Sequence, residues 1–320
     1  MATPIRIELP TQFGMQSVNA YLMLGDEPTL IDCGENTDAV WQTLTSALAK
    51  YNLKVSDLSR VIITHAHVDH IGMAGRIIAN SEAELWISEY GVDWAIDPIN
   101  MNERRIKIAQ SYFGELGEAP TGSFIHQFVT MFRSLRNYWT AIPAERVRTF
   151  AVDDVLNING EEWKSIYAPG HCVHQTCFYH ASSKTLISAD MILPLAPAPV
   201  IDPALDAPYG RVKALPMLLE SYQRFQQLEV KAVFSGHYEP INNYYELIDR
   251  QVNRIHQRVE ESHQAIATGT NQFWDLLEKI YAGRVGFMAV PMLMGYLDIL
   301  EIDNRIQKEK VNGILQYTTI

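Results

Sequence analysis

Residues 64–70 read Thr-His-Ala-His-Val-Asp-His and are the part of the sequence best suited to chemistry. Three imidazoles and one carboxylate fall within six positions, and these groups are the usual ligands of zinc-type metal ions. His65 and His67 lie two positions apart, so in extended backbone their side chains can point the same way. The heptapeptide therefore predicts a metal site that also uses Asp69 and His70.

Three later motifs place a potential ligand directly after a strand-like run. His171 ends an Ala-Pro-Gly-His sequence, Asp190 ends Ser-Ala-Asp, and His237 ends Ser-Gly-His. Each stands beside small residues that let the backbone approach closely. These motifs supply partners for the heptapeptide in a larger metal site.

Alternating and apolar runs indicate the elements that position these motifs. The sequence predicts strands over 18–24, 29–33, 61–63, 84–88, 150–158, 162–167, 176–180, 185–189 and 232–234. It predicts helices over 37–51, 71–79 and 211–228, and an irregular rim over 191–210, which holds five prolines. The order of strands and helices favours two sheets sandwiched between helices.

Two segments do not follow this alternation of strands and helices. Residues 89–148 predict two helices, 101–113 and 123–140, and their phenylalanine-rich face is either a lid over the site or ordinary core. Residues 244–320 predict three helices followed by a hairpin around Asn312-Gly313, a pattern typical of a winged-helix-like module.

Composition narrows the class of protein. The 320 residues contain 47% hydrophobic side chains and carry a net charge of −11, an overall field that opposes nucleic-acid binding. Only three cysteines are present, which favours a reducing, cytoplasmic location over a disulfide framework. Because the longest apolar stretch is too short to span a bilayer, we expect no membrane association.

The motif set as a whole resembles the metallo-β-lactamase superfamily, with a ligand set similar to that of the hydroxyacylglutathione hydrolases (glyoxalase II). The resemblance implies a four-layer αββα sandwich, with a catalytic domain over 1–243 that contains the 89–148 insert. Residues 244–320 would form a separate C-terminal domain.

The resemblance also implies a dinuclear metal site. His65, His67 and His171 would hold the first metal, and Asp69, His70 and His237 the second, with Asp190 bridging them. Two divalent ions are expected, zinc foremost, with iron or manganese as alternatives. Asp32 matches a family position that orients the ligand loop.

Other polar residues near the motifs have less certain roles. His174 is expected to be structural, although it could contact substrate. Cys172 is expected to point away from the metal. Tyr209 and Tyr238 could each donate a hydrogen bond to an oxyanion or simply pack at the rim.

The expected activity is that of a metal-dependent hydrolase. A metal-bridging hydroxide would attack an ester-type carbonyl, with a thioester or lactone as the preferred substrate and Asp69 as the residue that handles the proton. An apolar acyl part fits the possible lid. True β-lactamases of the commonest zinc types have a different ligand set, which argues against antibiotic hydrolysis.

Two alternatives remain at this point. A phosphodiesterase or ribonuclease is possible because some relatives with a C-terminal helical module cut RNA, but acidic side chains outnumber basic ones over 244–320. Iron-dependent oxygen chemistry is the second, although such relatives usually have Glu at the position of His67. The apolar helix predicted over 286–302 is consistent with a homodimer.

Overall fold

The computed structural model describes residues 3–12, 15, 17–119, 124–205, 210–282, 286 and 288–320, and every structural statement below concerns these residues. The motif residues named above all lie within them except Tyr209, which falls outside the described part.

Six strands form the first sheet, in spatial order from β1 to β6. β1, β2 and β3 are antiparallel neighbours, whereas β3, β4, β5 and β6 run parallel. The strands are β1 Ile5–Pro10, β2 Ser17–Met23, β3 Thr29–Ile31, β4 Arg60–Ile63, β5 Glu84–Ser88 and β6 Val147–Phe150. Because β3 and β4 are parallel, their carboxyl ends lie at the same end of the sheet. Asp32 and the heptapeptide, which follow these strands, are therefore close together.

Five strands form the second sheet, in the order β11, β10, β9, β8, β7. The strands are β7 Val155–Ile158, β8 Glu161–Tyr167, β9 Thr176–His180, β10 Thr185–Ala189 and β11 Ala232–Ser235. β10 and β11 are parallel, so Asp190 and His237, which follow them, emerge at the same end.

The two sheets face each other across a small apolar core. Buried residues from both sheets meet there, including Tyr21, Ile62, Phe178 and Phe234. A larger core lies between the sheets and the helices. The αββα sandwich predicted from the sequence is therefore confirmed.

Ten helices are described. They are α1 Asp38–Ala49, α2 Val68–Ile71, α3 Ala74–Ala79, α4 Val92–Ile96, α5 Pro98–Glu115, α6 Phe124–Ser134, α7 Ala214–Phe225, α8 Tyr244–Ala267, α9 Phe273–Tyr281 and α10 Ala289–Ile302. Among the described helices, none is both long enough and apolar enough to cross a membrane.

Two of the predicted elements are each divided into two in the structure. The strand expected over 150–158 is two strands, β6 and β7, that belong to different sheets. They are separated by a turn in which Asp153 has a φ of +68° and Asp154 accepts a hydrogen bond from the backbone of Ala151. The helix expected over 71–79 is also divided, because α2 ends before Gly72 and α3 starts at Ala74.

The insert connects β5 to β6 and contributes to the main core. Its helices are α4, α5 and α6. The helix predicted over 123–140 corresponds to α6, which ends at Ser134 and is followed by a short 3-10 turn. Phe128 and Phe132 are only 4% and 8% exposed, and Phe128 contacts both Phe132 and Phe113. The phenylalanine-rich face is therefore core.

The C-terminal segment ends in a hairpin of β12 Ile306–Val311 and β13 Ile314–Thr319. Asn312 and Gly313 both have positive φ, as a two-residue hairpin turn of this kind requires. The preceding helices share the main apolar core with the sandwich, and Leu215 of α7 contacts Gly295 of α10. A domain boundary at residue 243 and a winged-helix arrangement stay predictions.

Candidate metal centre

The heptapeptide connects the end of β4 to the first turn of α2, and this connection brings its polar side chains close together. β4 ends at Ile63, and His67 is the N-cap residue of α2, with extended backbone. His65 Nε2 lies 3.1 Å from His67 Nδ1. Asp69 and His70 follow in the first turn of α2.

His171 reaches this group from the second sheet. It follows β8, and its Nε2 lies 2.9 Å from His67 Nδ1. Its Nδ1 donates to the Ala198 carbonyl oxygen at 3.2 Å, which directs Nε2 toward the two other imidazoles. His65, His67 and His171 thus form one cluster of ring nitrogens.

Asp190 lies between this cluster and a second one. Its Oδ2 is 3.6 Å from His171 Nε2 and 3.3 Å from His237 Nε2, while its Oδ1 is 3.3 Å from His70 Nε2. Asp69 Oδ2 completes the second group at 3.5 Å from His237 Nε2. The structure therefore brings all seven predicted residues together, in the predicted groups. Their role as metal ligands stays a prediction.

Gly236 allows the two strand ends to come this close. A Cβ atom at this position would lie 2.1 Å from Asp190 Oδ1 and 2.8 Å from His70 Cε1. No larger residue could occupy the position without displacing the Asp190 carboxylate.

The histidines are oriented by hydrogen bonds at the nitrogen that faces away from the cluster. His70 Nδ1 donates to Asp32 Oδ2 at 2.8 Å, and His237 Nδ1 donates to the Ser17 carbonyl oxygen at 2.6 Å. Asp32 also accepts bonds from the Thr64 backbone and hydroxyl, which fixes the start of the heptapeptide. This is the orienting role that the resemblance implied for Asp32.

Three buried polar atoms in the site test whether a metal fits. His67 Nε2, His70 Nε2 and Asp190 Oδ1 make no hydrogen bond to any described residue, although His70 Nε2 and Asp190 Oδ1 face each other as an ion pair 3.3 Å apart. Buried polar atoms without partners are costly unless an ion or water satisfies them. The donor set of imidazole nitrogens and carboxylate oxygens is that of zinc-type ions, so these residues fit such a group.

The protonation of the site differs between its two halves. Burial, reinforced by neighbouring imidazoles, lowers the pKa of His65 and His67 well below the usual value. Burial alone would also lower the pKa of His70 and His237, but nearby carboxylates, Asp190 foremost, raise these values to about 10 and about 12. Without metal, the second half is therefore a cluster of imidazolium–carboxylate pairs.

Cys172 is closer to the centre than predicted. Its Sγ lies within 4.8 Å of ring nitrogens of His65 and His67, and it is fully buried. Burial raises the pKa of its thiol well above the usual value, so it is protonated and unreactive at neutral pH. His174 is also fully buried, and its Nδ1 accepts a hydrogen bond from the Ala66 backbone, in keeping with a structural role. Tyr238 is 46% exposed and its hydroxyl lies 3.7 Å from Met15 Sδ, a rim position.

A buried ion pair beside the site has no counterpart in the sequence analysis. Arg105 of α5 donates to Asp202 Oδ1 through Nε at 3.0 Å and through Nη2 at 2.5 Å. Asp202 Oδ2 accepts from the Val173 backbone, two residues beyond His171. The pair thus connects the insert, the proline-rich rim and the loop that carries His171.

Comparisons with known proteins indicate one superfamily for this chain. A family model described as metallo-beta-lactamase superfamily matches residues 14–237, more than half of the chain. The probable metallo-hydrolase YqjP of Bacillus subtilis is 28% identical over 319 residues, which cover 94% of this chain and 93% of the relative. An atrochrysone carboxyl ACP thioesterase of Aspergillus fumigatus is 20% identical over 253 residues, 78% of this chain and 59% of the relative.

Solved structures share the fold along the whole chain. A metallo-beta-lactamase family protein from Thermus thermophilus superposes with a TM-score of 0.80 at 19% identity, covering 99% of this chain and 98% of its own. A beta-lactamase domain protein from Burkholderia ambifaria gives 0.78 at 19% identity, with 98% and 92% covered. The insert and the C-terminal helices are therefore part of a shared architecture.

Proposed function

Since the chain belongs to the metallo-β-lactamase superfamily, we propose that it is a dinuclear, zinc-type metal-dependent hydrolase of small acyl thioesters or related esters. The observation that carries the proposal is the convergence of five imidazoles and two carboxylates around buried polar atoms that make no hydrogen bond to any described residue. When bound there, zinc-type ions activate water and polarise a carbonyl group.

The side chains of the two clusters would have different roles in metal binding and catalysis. His65, His67 and His171 are neutral and point ring nitrogens at one another, which suits them to hold the first ion. Asp190 is placed to serve both ions, since its two oxygens face both clusters. Asp69 is the most exposed carboxylate of the set, at 17% of its side chain.

The exposure of Asp69 suits it for proton transfer. The Asp69 side chain is 17% exposed whereas that of His70 beside it is fully buried, and Asp69 Oδ2 is 3.5 Å from His237 Nε2. A carboxylate in this position can accept the proton of the attacking water and return it to the leaving group.

The preference for acyl substrates rests on two observations. The relative from Aspergillus is a thioesterase that acts on an acyl carrier protein. In addition, the buried cation near the site, Arg105, is already paired with Asp202 and so is not available for a phosphodiester. The apolar face of the insert no longer supports the preference for an apolar acyl group, because that face is core.

A panel of matched substrates tests the proposal. Protein purified without chelator would be assayed on an S-acyl N-acetylcysteamine thioester, the corresponding p-nitrophenyl ester and bis(p-nitrophenyl) phosphate. We expect turnover of the acyl substrates that is lost on chelation and restored by zinc, manganese or iron. Asp69→Asn should lower kcat at least about a hundredfold, whereas the exposed Asp93→Asn should not change it.

Two outcomes would overturn the proposal. A phosphodiester that exceeds the acyl substrates by tenfold in kcat/KM, about 1.4 kcal/mol of transition-state stabilisation, would replace it with a nuclease-type activity. Acyl turnover that survives complete metal removal would show that the seven residues do not act through metal.

A further inference from the structure

The turn that carries His237 is bonded to a strand of the opposite sheet. β11, which ends at Ser235, belongs to the second sheet, whereas β2 belongs to the first. Asn19 of β2 is only 1% exposed, and its backbone N–H donates to the Gly236 carbonyl oxygen at 2.7 Å. Its Nδ2 donates to the carbonyl oxygens of Ser235, at 3.0 Å, and of Tyr238, at 2.7 Å. Asn19 therefore holds the chain on both sides of His237.

The turn has a backbone conformation that needs such support. Tyr238 has a φ of +67°, in the left-handed region that costs free energy for residues other than glycine. Its carbonyl oxygen accepts a second bond from Arg6 Nη1, at 3.1 Å. Arg6 Nη1 also donates to Asn19 Oδ1 at 3.3 Å, which leaves the Asn19 Nδ2 facing the turn. These bonds to one carbonyl oxygen stabilise a peptide unit that would otherwise relax.

We propose that Asn19 is a positioning residue for the second metal position, an inference that rests on the proposed function because it takes His237 as a ligand of that metal. His237 Nδ1 donates to the Ser17 carbonyl oxygen, also on β2, at 2.6 Å. His237 Nε2 lies 3.5 Å from Asp69 Oδ2 and 3.3 Å from Asp190 Oδ2. A shift of the turn would move this nitrogen relative to both carboxylates, so the bonds of Asn19 fix where the imidazole lies.

The effect should be selective for the second position. The histidines assigned to the first position lie on other segments, since His65 and His67 follow β4 and His171 follows β8. The side chain of Asn19 is bonded to the turn after β11 instead. Loss of its amide should therefore weaken the second position and leave the first as it is.

Zinc titration of the metal-free, full-length protein against a chelating indicator tests the proposal. The binding step that His237→Ala weakens identifies the second position. Asn19→Ala should lower zinc affinity at that step by about 10- to 100-fold and leave the other step unchanged. Asn102→Ala is the matched control and should change neither step. Asn102 is also a buried asparagine whose Nδ2 donates to a backbone carbonyl oxygen, that of Phe132, but it lies in the insert.

Relief of the strain at Tyr238 separates positioning from a general effect on folding. Glycine adopts a left-handed φ without the steric cost, so Tyr238→Gly in the Asn19→Ala background should recover affinity at the second position by about threefold or more. Lys184→Gly is the control for this change, because Lys184 also has a positive φ but lies in the turn between β9 and β10. It should give no recovery.

A second variant covers the case in which Asn19→Ala does not fold. Asn19→Asp keeps the size of the side chain and the bond from Arg6 but removes the Nδ2 donor, and it should weaken the same position. Equal weakening of both positions, unchanged affinity in the folded Asn19 variants, or no recovery with Tyr238→Gly would each overturn the proposal. Fewer than two zinc ions bound by the unaltered protein would overturn the proposed function itself, and this inference with it.

Discussion

Asp32 Oδ2 accepts a hydrogen bond from His70 Nδ1 at 2.8 Å, and both side chains are almost completely buried. The bond leaves His70 Nε2 directed at Asp190. Because this carboxylate holds the ring in the orientation and tautomer that metal binding needs, we expect Asp32→Asn to lower affinity at the second metal position by about 10- to 100-fold. Competition titration with a chelating dye measures this, and Asp38→Asn on the surface is the control.

The metal content of variants distinguishes Asp190, which faces both clusters, from His237, which belongs to one. Protein purified without chelator should contain about two transition-metal ions per chain, since the ligands form two groups. Asp190→Ala should reduce the affinity of both positions, because its oxygens face both clusters, while His237→Ala should weaken only the second. Elemental analysis gives the stoichiometry. A value well below one that added metal does not restore would contradict the assignment.

Stability of the metal-free protein should fall with rising pH. The folded-state pKa of His70 is raised to about 10 and that of His237 to about 12, against about 6.5 in the unfolded chain. Their stabilising contribution is therefore fully present below about pH 6.5 and is lost as the pH rises toward these folded values. Between pH 7 and 8.5 the Tm of chelated protein should decrease.

The metal-loaded protein provides the control for this pH dependence. Bound metal would keep both imidazoles deprotonated, so loading should release protons and remove most of the slope. Scanning calorimetry of both forms across the same pH range makes the comparison. An equal slope in both would show that His70 and His237 are not the groups responsible.

The Arg105–Asp202 pair should matter more for stability than any surface pair. Removing one partner leaves a buried charge without compensation, so Arg105→Met should cost about 3 kcal/mol in the free energy of unfolding. Urea denaturation measures the change. Lys310→Gln, which breaks an exposed pair with Glu115, should shift the midpoint far less. If both variants behave alike, the pair is not effectively buried.

The sequence predicts the seven residues that the structure brings together because local rules govern them. Each lies within a short motif at the end of a strand, and strand ends can be recognised from apolar runs. The contact between Arg105 and Asp202 follows no such rule, since 97 residues separate them and only the packing of α5 against the rim brings them together.

The split of α2 from α3 is not predicted by the sequence, for a different reason. Helical periodicity continues across residues 71–79, but a Cβ atom at Gly72 would lie 2.4 Å from both the Val68 and the Tyr138 carbonyl oxygens. The close approach of the segment around Tyr138 is a tertiary contact, with the Asn36 backbone also donating to the Tyr138 carbonyl oxygen. Periodicity alone could not reveal it.

The division of the centre between the two sheets has a consequence for biosynthesis. The heptapeptide belongs to the first sheet, whereas His171, Asp190 and His237 belong to the second. A chain still emerging from the ribosome can present His65 to His70 long before His237 has been made. Any ion held early would have an incomplete set of ligands and would exchange readily, so the choice of metal would be made after synthesis, when both halves have closed on each other.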